Sequence, residues 1–180
     1  MFIQNNELTI RNATPEDAAL LCGWWNDGAV MAHAGYPDGI GTTEEEVIKR
    51  LKEDRDDMHR RLITEAEGRP IGEMNYRSVG GGTAEVGIKI CEGSMQNQGY
   101  GSKLLGMLFR ALFSQQGYRK IILDTRLENK RAQHVYEKLG FTKLRVRTEN
   151  WNGADGGGPV FIDYELVPEH FIDPAANSRF

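Results

Sequence analysis

Between Ala84 and Cys91 the chain alternates, with Val86, Ile88 and Ile90 on one side and Glu85, Gly87 and Lys89 on the other. A period of two marks a half-buried strand, because successive side chains leave the backbone on opposite faces. Further strands are predicted at Leu8 to Asn12, near Arg61 to Glu67, from Pro70 to Val79, from Arg119 to Thr125, near Thr142 to Thr148 and from Val160 to Val167. Gly80-Gly81-Gly82 supplies a tight reversal between the third strand and the fourth, so these two form a hairpin. Helical spacing replaces the alternation elsewhere. Ala18, Leu21, Cys22 and Trp25 share one face of a helix from Glu16 to Asn26, which starts with Thr14 as cap, Pro15 in the first turn and acidic Glu16 and Asp17 at its positive end. Thr43 with Glu46 makes a capping box for a second helix, Glu44 to Met58. A third runs from Tyr100 to Gln116 and stops at Gly117, and a fourth from Lys130 to Leu139 lies between Asn129 as cap and Gly140 as left-handed terminator. This order, a mostly antiparallel sheet with helices inserted around its fourth and fifth strands, predicts a mixed α/β (α+β) fold with helices on both faces.

Composition narrows the class. The 180 residues suffice for one substantial core, so one domain is expected over 1–172, followed by a loosely held tail, Asp173 to Phe180. Asn152 to Gly158 reads as a mobile hairpin loop. No apolar run reaches the roughly 20 residues that span a bilayer, and the start has no basic segment ahead of an apolar one, so a cytoplasmic protein with no membrane contact is expected. The two cysteines, Cys22 and Cys91, and four scattered histidines show no ligand spacing, which predicts no metal. A net charge of −4 argues against direct nucleic-acid binding and suits a cationic amine substrate.

The candidate chemistry starts at Gln96-Asn97-Gln98-Gly99-Tyr100-Gly101-Ser102, which follows the fourth strand and opens the third helix. Two glycines around one residue let several backbone N–H groups point into one small space, where the positive helix end favours an anion. The loop reads as a pyrophosphate cradle. It is neither the dinucleotide fingerprint, since Leu104 stands where a third glycine is needed, nor a P-loop, since Gly101-Ser102-Lys103 has the wrong order. A second motif, Asn129 to Phe141, contains Asn-x-x-Ala-x-x-x-Tyr-x-x-x-Gly-Phe. In this order and spacing the pair resembles the GNAT superfamily of acyl-CoA-dependent N-acetyltransferases, over a core from about Ile71 to Phe141. The layout around Trp24-Trp25-Asn26-Asp27 resembles the branch of ribosomal-protein alanine, spermidine and aminoglycoside acetyltransferases.

The resemblance implies a central, mostly antiparallel sheet of about seven strands whose fourth and fifth splay apart, and acetyl-CoA as cofactor. The pantetheine arm would pair with the backbone edge at Ile88, Ile90 and Cys91. The pyrophosphate would lie on Gln96, Asn97, Gln98, Gly99, Tyr100, Gly101 and Ser102, with Asn129 as a further contact that also caps its helix. Tyr136 matches the family tyrosine near the sulfur and is the candidate general acid; it also lies on an apolar stripe with Ala132, Val135 and Leu139, where it would simply pack. Glu85 and Asp124 are the candidate bases, each open to a structural pairing with Lys89, Arg126 or a solvent cation, while many members use ordered water instead. Cys91 as a covalent carrier is set aside, since a lone cysteine at a strand end is usually a small buried hydrophobe. Trp24, Tyr36, Glu73 and Trp151 are candidates for the acceptor pocket. The implied reaction is acetyl transfer to a primary amine, of a small molecule or a protein N-terminus, by direct attack in a ternary complex. A catalytically silent acyl-CoA-binding protein is the alternative. A homodimer is expected from the frequency of dimers in the superfamily.

Overall fold

The computed structural model describes residues 1–149 and 158–176. Along the chain come β1 (Phe2–Gln4), β2 (Leu8–Asn12), α1 (Ala18–Asn26), α2 (Gly28–Met31), α3 (Glu44–Lys52), β3 (His59–Ala66), β4 (Arg69–Ser78), β5 (Thr83–Ile90), α4 (Tyr100–Ser114), β6 (Lys120–Arg126), α5 (Lys130–Lys138), β7 (Thr142–Thr148) and β8 (Val160–Leu166). Eight strands form one sheet in the order β1-β2-β3-β4-β5-β6-β8-β7. The added edge strand, β1, pairs through Ile3 with Ile10 of β2. Of the registered pairs, β5 with β6 is the parallel one, and it covers only Thr83 to Glu85 against Lys120 to Ile122. Among the described residues β5 has no ladder partner on β6 from Val86 onward, so this is the splayed pair expected of the fourth and fifth predicted strands.

The chain divides into two compact units, Met1–Arg77 with Gly87–Leu104, and Ser78–Val86 with the chain from Leu105 onward. In the first, α1 and α3 bury Leu21, Trp24, Trp25, Val47 and Leu51 against Ile63 of β3. The start of the predicted first helix winds instead as a tight 3-10 turn, Pro15–Asp17, because Asp17 turns inward to a two-point ion pair with Arg11 at 2.7 and 2.8 Å and accepts the Thr14 N–H. The helix from Glu44 keeps its capping box but ends at Lys52 rather than Met58. Beyond Leu51 the run Glu53 to Asp57 has no apolar residue to bury, and Asp54 turns back to accept the Arg61 N–H at 2.8 Å. The short α2 has no apolar period to announce it; Asp27 caps it by accepting the Ala29 N–H.

In the second unit, aromatic rings hold α4 and α5 to the sheet. Phe109 meets Phe141 edge-on at 5.4 Å, and Tyr136 meets Tyr164 of β8 at 5.6 Å and Phe141 at 5.8 Å, contacts of about 1 kcal/mol each beyond simple burial. The glycine reversal forms as expected, with Gly80, Gly81 and Gly82 all left-handed and Val79 donating to the Thr83 carbonyl at 3.0 Å. The start of the expected loose tail is held: Asp173 accepts from two nitrogens of Arg110 at 2.6 and 2.8 Å.

Gly140 ends α5 at φ 96°, and a methyl group there would lie 1.8 Å from the His170 carbonyl oxygen. A left-handed L-residue costs about 1–2 kcal/mol before that overlap is counted. Gly140→Ala is therefore expected to lower the thermal midpoint by at least about 4 °C, read by calorimetry.

Candidate active site

The candidate cofactor loop leaves β5 through a 3-10 turn, Gly93–Met95, and enters α4. Asn97 at φ 63° and Gly99 at φ 81° take left-handed conformations that asparagine and glycine tolerate. The backbone N–H groups of Gly99, Tyr100, Gly101 and Ser102 donate to no carbonyl among the described residues. They are free donors at a positive helix end. Gly101 has an ordinary φ and no atom within 4 Å of a built Cβ, so no described residue demands glycine there. What the missing side chain preserves is open space above the donors.

The strand side of the cradle is more selective than the sequence indicates. Cys91 donates its N–H to the Ile71 carbonyl at 2.9 Å, so its backbone faces β4. Backbone groups alternate in direction along a strand, which turns Ile88 and Ile90 the other way. The Gln96 side-chain amide takes the Ile90 carbonyl at 2.9 Å. Gln96 is thus a brace between loop and strand, and the Ile88 backbone with the Ile90 N–H is what the edge can offer to a ligand.

In the same unit, Glu73 of β4 is buried and accepts from Trp25 Nε1 at 2.9 Å and Lys89 Nζ at 2.7 Å. The guanidinium groups of Arg50 and Arg61 lie 5.8 and 6.0 Å from the Trp25 ring. Trp24 is buried beside it in the α1 core and donates Nε1 to Glu92 at 3.1 Å. Tyr36 is 46% exposed, after the turn that follows α2. Trp151 lies outside the described residues. Burial, with the nearby charge of Glu73, pushes the Cys91 thiol up to about 12, which leaves it protonated and a poor nucleophile.

In the second unit, Tyr136 points into the aromatic cluster. Burial first, then the negative charge of Asp124, raises its phenol well above the ordinary tyrosine value. No described residue accepts a hydrogen bond from its hydroxyl, so the proton is held and uncommitted. Asn129 caps α5 by accepting the Ala132 N–H at 3.1 Å with Oδ1, and its amide nitrogen has no partner among the described residues. Asp124 on β6 is paired with Arg147 of β7. Burial raises its carboxyl against the pull of Arg147, and Asp163, Glu85 and Glu149 raise it further. Glu85 is half-buried on β5, opposite Ile122.

The family profile described as an acetyltransferase (GNAT) domain matches residues 7–142. The chain belongs to the GNAT acetyltransferase family. It is 25% identical over 154 residues to the aminoglycoside N(6')-acetyltransferase type 1 of Klebsiella pneumoniae, covering 77% of this chain and 76% of that one. Its fold matches the spermidine N-acetyltransferase of Vibrio cholerae in complex with CoA and spermine, with a TM-score of 0.80 and 22% identity over 92% of this chain and 98% of that one. A ribosomal-protein alpha-N-acetyltransferase in complex with CoA aligns with a TM-score of 0.78 and 18% identity, over 93% of this chain and 98% of that one. The GNAT chain is an acetyl-CoA-dependent N-acetyltransferase, and among the described residues no helix is long and apolar enough to cross a membrane.

Sequence reasoning missed three residues of this acetyltransferase that shape its candidate site: Trp25 and Lys89, which hold Glu73, and Arg147, which holds Asp124. Trp25 carried a signal, an indole whose N–H must find an acceptor once buried. The other two are cations whose partners lie on other strands, Glu73 on β4 beside β5 and Asp124 on β6 across β8 from β7. With its thiol up at about 12, Cys91 should resist alkylation by iodoacetamide in the folded enzyme near pH 8, and Cys91→Ala should retain turnover within about twofold. A stable acetyl-thioester on Cys91, trapped by mass spectrometry, would contradict this.

Proposed function

We propose that this enzyme transfers the acetyl group of acetyl-CoA to a cationic primary amine, of a small molecule or a protein N-terminus, by direct attack in a ternary complex. The observation that carries the reading is the row of free N–H donors from Gly99 to Ser102 beneath open space at Gly101. When bound, acetyl-CoA supplies an activated acetyl thioester. The N–H groups of Gly99, Tyr100, Gly101 and Ser102 hold its pyrophosphate, as Asn97 and Gln98 shape the turn that aims them. The Ile88 backbone and the Ile90 N–H pair with its arm, and the Asn129 amide nitrogen adds a donor.

Three further tasks fall to side chains. Asp124 accepts the proton that the acceptor amine must lose; burial, then the charges of Asp163, Glu85 and Glu149, raise its carboxyl above the ordinary value against the pull of Arg147, which makes it a better base than an ordinary surface carboxylate. Glu85 adds negative charge beside Asp124 that favours a cationic acceptor. Tyr136 holds a proton on its phenol oxygen through the working pH range and gives it to the leaving sulfur. Trp24, Tyr36, Glu73 and Trp151 are assigned to the acceptor side. The curated and structural relatives named for aminoglycosides, spermidine and a ribosomal-protein N-terminus support an amine acceptor of this kind.

Replacing Tyr136 with Phe should leave CoA affinity unchanged and cut kcat by about 10²-fold or more, measured by thiol release against spermidine, an aminoglycoside and peptides with free N-termini. Undiminished turnover would remove the acid assignment. The same phenol affects stability: because burial raises it, the folded state resists its ionisation, so stability should fall as pH climbs above about 10, less so in the Phe variant. Gly101→Ala separates fold from ligand. Its thermal midpoint should hold or rise, since alanine favours a helix over glycine by roughly 1 kcal/mol, while calorimetry should show CoA affinity reduced at least about tenfold.

A further inference from the structure

Arg147 carries three carboxylates on three different nitrogens. Its Nε donates to Asp163 at 2.8 Å, Nη1 to Glu149 and Nη2 to Asp124, while its guanidinium lies 5.0 Å from the Phe161 ring. The three acids are not held equally. Asp163 has both oxygens engaged, the second by Arg145 Nε at 2.6 Å, and its side chain is 17% exposed. Asp124 offers one oxygen to one cation among the described residues, and its side chain is 42% exposed. A carboxylate has about four acceptor positions, so most of the capacity of Asp124 is unspent.

Releasing Asp124 leaves Arg147 bonded to Asp163 and Glu149 and beside Phe161, so the guanidinium stays neutralised when it turns away from Asp124. Asp124 then gives up its cation, and among the described residues the largest other charges acting on it, from Asp163 on β8, Glu85 on β5 and Glu149 after β7, are negative. The replacement that neutralises it is a cation. We propose that Arg147 is a positioning residue that acts through Asp124: it occupies, as an internal cation, the place that the ammonium group of the acceptor takes, and it yields that place when the acceptor binds. The inference rests on the reading of Asp124 as an acceptor-facing carboxylate. It makes Arg147 a competitor that sets how strongly an amine must bind, and one that uncharged acceptors cannot displace.

The test uses the full chain and two variants with opposite expected signs. With spermidine as acceptor, Arg147→Gln removes the internal competitor and should lower the acceptor KM by about threefold to tenfold, with acetyl-CoA KM unchanged. Asp163→Asn loosens one of the other holds on Arg147, tightens its grip on Asp124 and should raise the acceptor KM. Calorimetric spermidine binding without acetyl-CoA should follow the same order, and in an Asp124→Asn background the Arg147→Gln change should no longer alter it. Arg147→Lys, which keeps the charge but not the three-way geometry, serves where the Gln variant does not fold and should fall between it and the parent enzyme. An acceptor KM that stays constant or rises in folded Arg147→Gln, with the parent enzyme active, overturns the proposal alone. A parent enzyme that neither binds nor acetylates spermidine, kanamycin or an alanine-terminated peptide overturns the amine-acceptor reading, and the proposal with it.

Discussion

A strand that stops pairing before it stops being a strand is the constraint on which this fold turns. Among the described residues β5 is bonded to β6 at Thr83 to Glu85, yet it continues as far as Ile90. Backbone groups without partners are costly unless water or a ligand meets them, and natural folds cover such edges or use them. Here the Gln96 side chain covers the Ile90 carbonyl and Ile71 takes the Cys91 N–H, so the uncovered part shrinks to a few groups around Ile88 and the Ile90 amide. The next turn of chain then presents four more free N–H groups, from Gly99 to Ser102, at the start of α4. Strand edge and helix end are consecutive in sequence, so one short loop delivers both kinds of donor.

The charged groups follow a second rule, that a buried or crowded carboxylate takes a cation from its own chain. Glu73 has Lys89 and the Trp25 indole; Asp124 has a share of Arg147. The degree of engagement differs. Two donors on a buried Glu73 make a rigid element of the α1 side, whereas the exposed, singly held Asp124 retains capacity for another partner. Tyr136 is the neutral counterpart: burial among aromatic neighbours, then the charge of Asp124, opposes its ionisation and raises the phenol above the ordinary tyrosine value.

Much of the fold was legible in the sequence because it depends on short-range signals. Alternation located β5, the capping box and Asn129 located two helix starts, and glycines at 80–82 and 140 marked a reversal and a terminator, each a matter of backbone conformation within a few residues. The misses were also local in kind. α3 stops at Lys52 because a charged run offers nothing to bury, and the first turn of α1 tightens because Asp17 is drawn to Arg11 on β2. β1 and α2, at three and four residues, are too short for any period to register.

By itself the sequence determined the order of most elements and the glycine-rich loop, since these rest on spacing along the chain and on what glycine, asparagine and proline permit the backbone to do, and its two motifs carried the resemblance to the acetyltransferase family. Only the tertiary structure decided which groups are free. Gln96 turned out to be spent on Ile90, Cys91 to be buried and inert, Glu73 to be claimed by Trp25 and Lys89, and Asp124 to be shared with Arg147. The reason is physical: a hydrogen bond or ion pair needs its partners within about 3 Å, and the sheet brings together residues that lie tens of positions apart, as it does Asp124 and Arg147 across β8, with no mark of that approach in either one's neighbours along the chain.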